Sequence, residues 1–274
     1  MKRVLGIIGS PRRMGNCELM VKEIAALLPE PAALSMVRLA EKDIRPCKAC
    51  YRCLTGECPH QDDFRAVLEA IVAADGVVVA APVYLLGAHS SLQRFLDRGL
   101  QFFRRIEALA GKPAVGVALA GVKDGEGASL LGVENFIRGM GMEVRGRAVV
   151  HAALPGEALL SEDGREAAAR LAGALFARGT LPAADPSCTQ CGGTFFEFRG
   201  GRRVYCLLCG ASGTVSFGQG GDIRLATAAP AHSWRGPESR KTHGQWLIGM
   251  KEKYRRDRDR LKSVVESYGG GTFI

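Results

Sequence analysis

The chain has 274 residues, of which 47% are hydrophobic and 24% are charged, and its formal net charge is +9. This composition excludes wholesale disorder, and no apolar run reaches the ~18–20 residues that a membrane helix needs. A basic excess is typical of nucleic-acid-binding proteins, but here it is uneven, because +7 of it falls in residues 186–274.

The first two thirds of the chain alternate between strand-like and helix-like segments. Short apolar runs predict five strands, at Val4–Gly9, Leu34–Leu39, Val77–Ala81, Pro113–Ala120 and Glu143–Val150. Helical spacing predicts five helices after them, at Asn16–Leu28, Asp62–Ala74, Leu92–Ile106, Leu130–Gly139 and Glu162–Ala177. This alternation predicts an α/β fold, a parallel sheet covered by helices on both faces. Five strands suit the flavodoxin-like order 2-1-3-4-5, in which ligands bind beyond the carboxyl ends of strands 1 and 3.

The composition changes near residue 184, where Pro182, Asp185 and Pro186 form a plausible linker. We therefore predict a flavodoxin-like domain over residues 1–184, a small domain over 185–218 and a basic tail over 219–274. The tail contains the run Lys251–Lys262, which reads as a C-terminal helix.

The loop after the first strand has the residue types of a phosphate site. It reads Ser10-Pro11-Arg12-Arg13-Met14-Gly15-Asn16-Cys17 and leads into a helix, whose N–H groups and dipole favour an anion. Arg12 or Arg13 adds a charge-assisted contact. The loop lacks the G-x-x-x-x-G-K-[ST] pattern of triphosphatases and the G-x-G-x-x-G pattern of dinucleotide folds. The alternative is an ordinary strand–helix turn capped by Asn16.

The loop after the third strand begins at the same edge of the predicted sheet. It reads Pro82-Val83-Tyr84-Leu85-Leu86-Gly87, a rigid backbone with aromatic and aliphatic side chains. These residues suit the face of a flat heteroaromatic ring. The alternative is that they simply pack into the core.

Several motifs occur in one order over residues 1–178: G-S-P-R-x-x-G-N, a compact group of cysteines, D-D-F, A-D-G-V-V-V, P-V-Y and F-L-D-R. This order resembles the NADPH-dependent FMN reductase family of flavodoxin-like proteins, and within it the iron–sulfur flavoproteins. The resemblance implies FMN, with its phosphate held by Ser10, Arg12, Gly15, Asn16 and Cys17. It also implies that the isoalloxazine is flanked by Pro82, Val83, Tyr84 and Leu85, with the Gly121 loop closing another side.

Three positions depart from the residues that are more common in this family: Cys17, Leu85 and His89. Cys17 is either a reactive thiol with a pKa lowered by the helix N-terminus or a substitute for a hydroxyl beside the phosphate. His89 is either a proton donor to the flavin or a loop histidine at the surface or packed in the pocket.

Cys47, Cys50, Cys53 and Cys58, here called the loop cysteines, have the spacing C-x2-C-x2-C-x4-C. Short intervals let successive thiolates turn toward the corners of one 4Fe-4S cluster, and no second set of this type exists to share ligands. The spacing matches that of the iron–sulfur flavoproteins. The alternatives are zinc ligands, free thiols or packing, as in related flavin reductases without a cluster.

Cys188, Cys191, Cys206 and Cys209, here called the ribbon cysteines, have the spacing C-x2-C-x14-C-x2-C. The segment between the pairs predicts a hairpin of Phe195–Arg199 and Arg202–Tyr205 that turns at Gly200-Gly201. Two such pairs on a hairpin predict a zinc ribbon closed by four thiolates. Rubredoxin-like iron uses similar spacing and is the alternative.

These features together predict a cytoplasmic FMN-dependent oxidoreductase with a 4Fe-4S cluster. It would transfer electrons between a reduced donor, ferredoxin or NAD(P)H, and a small acceptor. The resemblance further implies a homodimer or homotetramer, because in that family the flavin faces the cluster of a neighbouring subunit. One alternative is an NAD(P)H-dependent FMN or quinone reductase without a cluster, and another is a ribbon-based nucleic-acid or protein binding module.

The C-terminal tail argues against the nucleic-acid alternative. Acidic residues interrupt the basic run Lys251–Lys262, and mixed charges at helical spacing are typical of a solvated helix face. We therefore expect neither nucleic acid nor a membrane as a partner. Four apolar side chains of the tail are expected to dock it onto the first domain or another subunit: Trp234, Trp246, Leu247 and Ile248.

Overall fold

The computed structural model describes residues 1–177, 186–218, 220–230 and 237–268. The predicted linker residues Pro182 and Asp185, the tail residue Trp234 and the glycines at 269–271 lie outside these ranges.

A parallel sheet forms the centre of the first domain. Its strands are β1 (Lys2–Ile8), β2 (Ala32–Arg38), β3 (Gly76–Tyr84), β5 (Pro113–Ala120) and β6 (Glu143–His151), in the order β2-β1-β3-β5-β6. The two-residue strand β4 (Gly87–Ala88) pairs antiparallel with the end of β3. This arrangement confirms the predicted flavodoxin-like order of five parallel strands.

Helices cover both faces of this sheet, as predicted. They are α1 (Asn16–Ala26), α2 (Phe64–Ala73), α3 (Ser91–Leu96), α4 (Ile106–Leu109), α5 (Ser129–Gly139), α6 (Glu157–Leu160) and α7 (Glu162–Leu175). Helices α1, α6 and α7 pack on one face, and α2, α3, α4 and α5 pack on the other. On the second face the Phe95 ring lies 4.5 Å from Phe64, 5.7 Å from Phe102 and 5.6 Å from Phe136, measured between centroids.

The predicted single helix Leu92–Ile106 is wrong. The chain instead forms α3, a 3-10 helix at Gly99–Arg105 and then α4. Glycine at position 99 weakens a continuous α-helix, and the Arg98 side chain turns inward to a buried carboxylate rather than outward to water. The tighter 3-10 winding also brings Phe102 into the core, where it is 1% exposed.

A small antiparallel sheet follows in the C-terminal part. Its strands β7 (Phe196–Phe198), β8 (Arg203–Cys206), β9 (Ser212–Phe217) and β10 (Ile223–Ala228) have the order β10-β9-β8-β7. The first pair is the predicted hairpin, with Phe196 opposite Cys206. Strands β9 and β10 were not predicted, and β10 lies in the segment assigned to the tail. Arg147 on β6 donates to Thr194 Oγ1 at 3.4 Å, which joins this part to the first domain.

The tail forms two helices, α8 (Pro237–Arg256) and α9 (Arg258–Glu266). Near the start of α8, Arg240 is 3% exposed and donates to the Arg138 carbonyl at the end of α5, at 3.0 Å. The His243 ring lies between Trp246 and Phe103, at centroid distances of 5.3 Å and 6.0 Å. These contacts dock α8 onto the 3-10 helix of the first domain. None of the helices within the described ranges is both long and apolar enough to cross a membrane.

Candidate flavin and metal sites

The loops after β1, β3 and β5 meet at the carboxyl edge of the parallel sheet. Strands β1 and β3 are neighbours, and Gly9 N–H donates to the Ala80 carbonyl at 2.8 Å just beyond the end of β1. The strand order reverses here, since β2 lies on one side of β1 and all later strands lie on the other. This position is where open parallel sheets bind ligands.

Gly15 caps the N-terminus of α1, and the loop that precedes it is held by a cation from β2. Arg38 Nη1 donates to the Ser10 carbonyl at 3.3 Å and to the Arg12 carbonyl at 2.9 Å. Ser10 Oγ in turn accepts from Arg12 N–H at 3.2 Å. The loop carbonyls therefore face Arg38, while the N-terminus of α1 favours an anion.

Glu18 completes this support from the first turn of α1. Its carboxylate accepts from Arg38 Nη2 and Lys22 Nζ, both at 2.7 Å, and from Met14 N–H at 2.8 Å. The hydrogen bond from Lys22, together with those from Arg38 and Met14, outweighs burial and lowers the pKa of Glu18 to about 2. Neither Arg38 nor Glu18 is among the residues predicted from the sequence. One feature of the sequence could have indicated that Arg38 lies near the phosphate loop. It stands near the end of the second predicted strand, which neighbours strand 1 in the predicted sheet order.

Asn16 and Cys17 both lie in the first turn of α1, but their side chains have different surroundings. Asn16 Nδ2 donates to the Leu154 carbonyl at 2.9 Å, and Asn16 Oδ1 accepts from Gly156 N–H at 2.9 Å. Its side chain therefore ties α1 to the loop after β6. Cys17 is 3% exposed, and burial raises the pKa of its thiol to about 12. A buried, protonated thiol favours the role of a hydroxyl substitute over that of a reactive nucleophile.

The loop after β3 turns back on itself and presents its side chains outward. Val83 pairs with Ala88 and Tyr84 with Gly87, and the two central residues have positive φ, 49° at Leu85 and 62° at Leu86. Non-glycine residues rarely adopt this conformation, and they concentrate at ligand-binding sites. Pro82 and Val83 are half-buried, whereas Tyr84 is 54% exposed and Leu85 is fully exposed. This exposure argues against simple core packing.

His89 follows this turn and leans against it. Its ring meets the Tyr84 ring edge to face at 5.2 Å, and its Nδ1 lies 2.9 Å from Ser91 Oγ. Burial lowers the pKa of His89, which keeps its imidazole neutral. These contacts favour the packed loop histidine over a charged proton donor.

Gly121 is exposed and begins the loop after β5, which contacts the same turn. Ala128 N–H donates to the Leu86 carbonyl at 2.7 Å, and Gly127 has a φ of 50°. A Cβ at Gly127 would collide with the Leu86 carbonyl, so glycine is required for this close approach. The loops from β1, β3 and β5 thus lie together at one edge of the sheet, and they are the candidate site for a phosphate and a flat ring.

The loop cysteines lie on an open segment between β2 and α2. Cys47 and Cys50 are exposed, and Cys53 and Cys58 are half-buried. Ala49 and Tyr51, the neighbours of Cys50 on either side, have positive φ values of 48° and 56°. These two turns let all four cysteines line one cavity together with His60 and Arg98. His60 Nε2 is buried there and has no hydrogen-bond partner among the described residues.

The ribbon cysteines have a closed geometry. Their four sulfurs lie within 4.8 Å of one another, with 3.7 Å from Cys188 to Cys209 and 3.5 Å from Cys191 to Cys206. Zinc–thiolate bonds of about 2.3 Å in a tetrahedron place the sulfurs about 3.8 Å apart, so these residues fit a single ion. Hydrogen bonding to Cys191 and burial raise the pKa of the Cys206 thiol, and burial raises that of Cys209 to about 11. Four thiolates at this spacing need a cation between them.

Only the ribbon cysteines meet this single-ion spacing within the part of the chain that the structure describes. The loop cysteines share a cavity but do not form such a single-ion group in the described part of the chain. A polynuclear cluster has its metal atoms at separate corners, so its thiolates are more widely spaced than those around one ion. The loop cysteines are therefore a second candidate site for a metal or a cluster, and the His60 Nε2 beside them has no hydrogen-bond partner among the described residues.

Comparisons with known proteins agree with this geometry. Residues 2–154, more than half of the chain, match the family described as NADPH-dependent FMN reductase. An iron–sulfur flavoprotein of Methanocaldococcus jannaschii is 33% identical over 139 residues, which cover 49% of this chain and 70% of that protein. One of Archaeoglobus fulgidus is 31% identical over 159 residues, 57% of this chain and 71% of that protein.

A solved structure of a flavone reductase is similar over 99% of both chains, with a TM-score of 0.72 at 19% identity. At this identity the similarity shows the fold alone. Because it covers 99% of this chain, it includes the small sheet and the tail as well as the parallel sheet. The sheet order, the three loops at its carboxyl edge and the match over more than half of the sequence lead to one conclusion. The chain is a flavin oxidoreductase of the NADPH-dependent FMN reductase family, related to the iron–sulfur flavoproteins.

Proposed function

We propose that this protein is an FMN-dependent oxidoreductase whose loop cysteines hold a 4Fe-4S cluster, and that it passes electrons between a reduced donor and a small acceptor. The observation that carries the proposal is the loop-cysteine cavity. Four thiols line it, and among the described residues they do not meet the spacing of a single-ion site. The segment that holds them follows β2, which ends at the same sheet edge as the flavin loops. The relationship to iron–sulfur flavoproteins supports the same assignment.

FMN supplies two-electron and one-electron chemistry when it is bound. The residues proposed to hold its phosphate are Ser10, Arg12, Gly15 and Cys17, with Asn16 fixing the start of α1 from behind. Arg38 keeps the loop carbonyls turned away, so that N–H groups face the anion. The residues proposed to flank the ring are Pro82, Val83, Tyr84, Leu85 and Gly121. Tyr84 and Leu85 are exposed in the single chain and would exclude water from one face of the ring.

NAD(P)H is the donor that the family favours, and a reduced ferredoxin is the other candidate. The holoprotein, purified without oxygen, would be mixed with NADPH, NADH or reduced ferredoxin in a stopped-flow instrument. If NADPH or NADH bleaches the flavin band at a rate close to the turnover rate, the nicotinamide is the hydride donor. Reduction by ferredoxin alone would place the chain in a one-electron pathway and would contradict a nicotinamide donor.

A cluster-free FMN or quinone reductase is the rival within the same family. Iron and acid-labile sulfide analysis separates the two, because the proposal requires about four of each per chain. A yellow protein that reduces quinones with NADPH but contains no iron or sulfide would refute the cluster and support the rival.

We propose a structural zinc ion for the ribbon cysteines. Three of the four are buried, and Thr227 on β10 places its hydroxyl 3.3 Å from Cys188 Sγ. A closed site with four thiolates leaves no open position for a substrate, which is the arrangement of structural zinc. A rubredoxin-like iron would give a red protein whose colour stays after the loop cysteines are replaced.

The carboxyl edge of the sheet carries an apolar surface that supports assembly into a homodimer or homotetramer. Met14, Leu86, Val122 and Leu154 are each more than half exposed there. We propose that these exposed apolar side chains at one edge of the sheet contribute to an interface between subunits. Light scattering of the holoprotein would give a mass of two or four chains, whereas a monomer that keeps full activity would contradict this assembly.

A further inference from the structure

Arg98 lies at the junction between the loop cysteines and the core. It follows α3, and its side chain forms an ion pair with Asp62 at 2.6 Å, in which both side chains are 2% exposed. The pair joins two motifs that the flavin loops do not use, D-D-F and F-L-D-R. Buried charges are retained when every donor has a partner, so the partners of Arg98 define what it is placed to do.

The guanidinium of Arg98 has a partner on each side. Nη1 donates to Asp62 Oδ2 and, at 2.9 Å, to the Arg45 carbonyl. The Gln101 amide oxygen, turned toward Arg98, accepts from Nε at 3.1 Å and from Nη2 at 3.2 Å. The Phe64 ring covers one face of the cation at 4.6 Å. These contacts fix the guanidinium plane and leave it little freedom to rotate.

Nη2 has two further contacts, one to Asp62 Oδ1 at 3.4 Å and one to a loop cysteine. Nη2 donates to Cys58 Sγ at 3.4 Å, a normal length for a hydrogen bond to sulfur. An ion pair that served the fold alone would need no sulfur at this end. The fixed guanidinium group of Arg98 instead directs one N–H toward the Cys58 thiol, which lines the cavity.

We infer that Arg98 is a positioning residue of the iron–sulfur site, which donates an N–H···S hydrogen bond to Cys58 and thereby stabilises the reduced cluster relative to the oxidised one. The inference rests on the proposed function, because it requires a cluster on the loop cysteines. Reduction adds one electron to the cluster and no atom, so the sulfur ligands become more negative. A cationic donor at the sulfur favours the more negative state and raises the reduction potential.

Arg98→Lys is the most direct variant, because it keeps a cation beside Asp62 but removes the planar fork that reaches Cys58. Arg104→Lys is the matched control, since Arg104 Nη1 holds the same loop through the Gly56 carbonyl at 2.7 Å. Both would be studied as anaerobically purified holoproteins. Potentiometric titration with dithionite, followed by electron paramagnetic resonance, gives the midpoint potential of each.

We expect Arg98→Lys to shift the equilibrium about tenfold toward the oxidised cluster, a midpoint lowered by about 59 mV for a one-electron couple. Arg104→Lys should leave the midpoint near that of the wild type. Equal midpoints in Arg98→Lys and wild type, or equal shifts in both variants, would overturn the inference while leaving the cluster in place. Wild-type protein without iron and sulfide would instead refute the proposed function itself, and the inference with it.

A second measurement needs no variant and covers the case in which Arg98→Lys does not fold. Wild-type protein labelled with 15N in its arginine guanidinium groups would be reduced and examined by pulsed electron paramagnetic resonance. A guanidinium hydrogen-bonded to a cluster ligand gives a 15N hyperfine coupling. Absence of this coupling in the reduced cluster would refute the hydrogen bond.

Discussion

The two sets of cysteines differ in almost every physical respect although each contains four thiols. Three of the ribbon cysteines lie in turns beside the small sheet and Cys206 ends strand β8; three of the four are buried, and their sulfurs have single-ion spacing. The loop cysteines lie on an irregular segment with two left-handed residues, and two of them are exposed. A closed site with four ligands suits an ion that stabilises the fold, whereas an open site at the surface can exchange electrons with a partner. We propose that exposure and spacing, rather than cysteine count, distinguish a structural from a redox role in this chain.

The largest expected effect tests this separation by breaking one site at a time. Cys206→Ser should lose the zinc and unfold the small sheet, because structural zinc contributes on the order of 10 kcal/mol to such domains. The first domain should keep its flavin and iron. Cys50→Ser should lose the iron and keep the zinc. Elemental analysis and thermal unfolding of both variants check this.

Loss of both iron and zinc from either variant would contradict the independence of the two cysteine sites. That result would mean that the two sites depend on each other, for example through the Arg147–Thr194 contact. Arg147→Ala would then be the variant that identifies the contact responsible.

The second prediction uses thiol reactivity in protein freed of metal by a chelator under native conditions. Cys47 and Cys50 should react with iodoacetamide about 100-fold faster than Cys17, because they are exposed while Cys17 is buried with a pKa raised to about 12. Peptide mapping at increasing times measures the order of labelling. Early labelling of Cys17 would contradict its placement beneath the phosphate loop.

A third prediction separates the flavin loop from both metal sites. Arg38→Ala removes the donor to the Ser10 and Arg12 carbonyls, so FMN should bind about tenfold more weakly or worse, while iron and zinc stay unchanged. Arg13→Ala is the control, because Arg13 pairs with Glu41 at the surface, where its own side chain is 80% exposed. Flavin fluorescence titration compares the two. Equal losses in both variants would refute the specific role of Arg38.

The smallest expected effect concerns acid stability of the first domain. The folded pKa of Glu18 is about 2 against an ordinary value of 4.5. Its depressed pKa contributes stability that is present above pH 4.5 and is lost as the pH falls toward 2. Metal-free wild type and Glu18→Gln should therefore differ by about 2–4 °C in Tm at pH 6, and the difference should shrink below pH 4. A difference that does not change with pH would contradict the ion-pair origin.

The sheet order and the four-cysteine group of the small sheet were predictable from the sequence because they depend on local signals. Apolar runs mark buried strands such as Val77–Ala81, and paired cysteines mark knuckles on a hairpin. Strands β9 and β10 were missed because their apolar residues are few and interrupted by small or polar ones, as in Ser-Gly-Thr-Val-Ser-Phe for β9 and Ile-Arg-Leu-Ala-Thr-Ala for β10. The predicted helix Leu92–Ile106 failed because its pattern does not reveal that Arg98 turns inward.

The supporting residues of the sites could not be predicted for a different reason. Arg98 meets Cys58 across 40 positions of sequence, and Arg38 meets Ser10 across 28. No periodicity joins residues that far apart, and an arginine is usually a surface residue. Only the folded arrangement shows that these two cations face inward.

The most direct test of the account is the cofactor content of the holoprotein purified without oxygen. We predict about four irons, four acid-labile sulfides, one zinc and one FMN per chain. A content of two zinc ions and no sulfide would mean that both sets of cysteines hold single ions, and it would contradict the distinction between the open and the closed site.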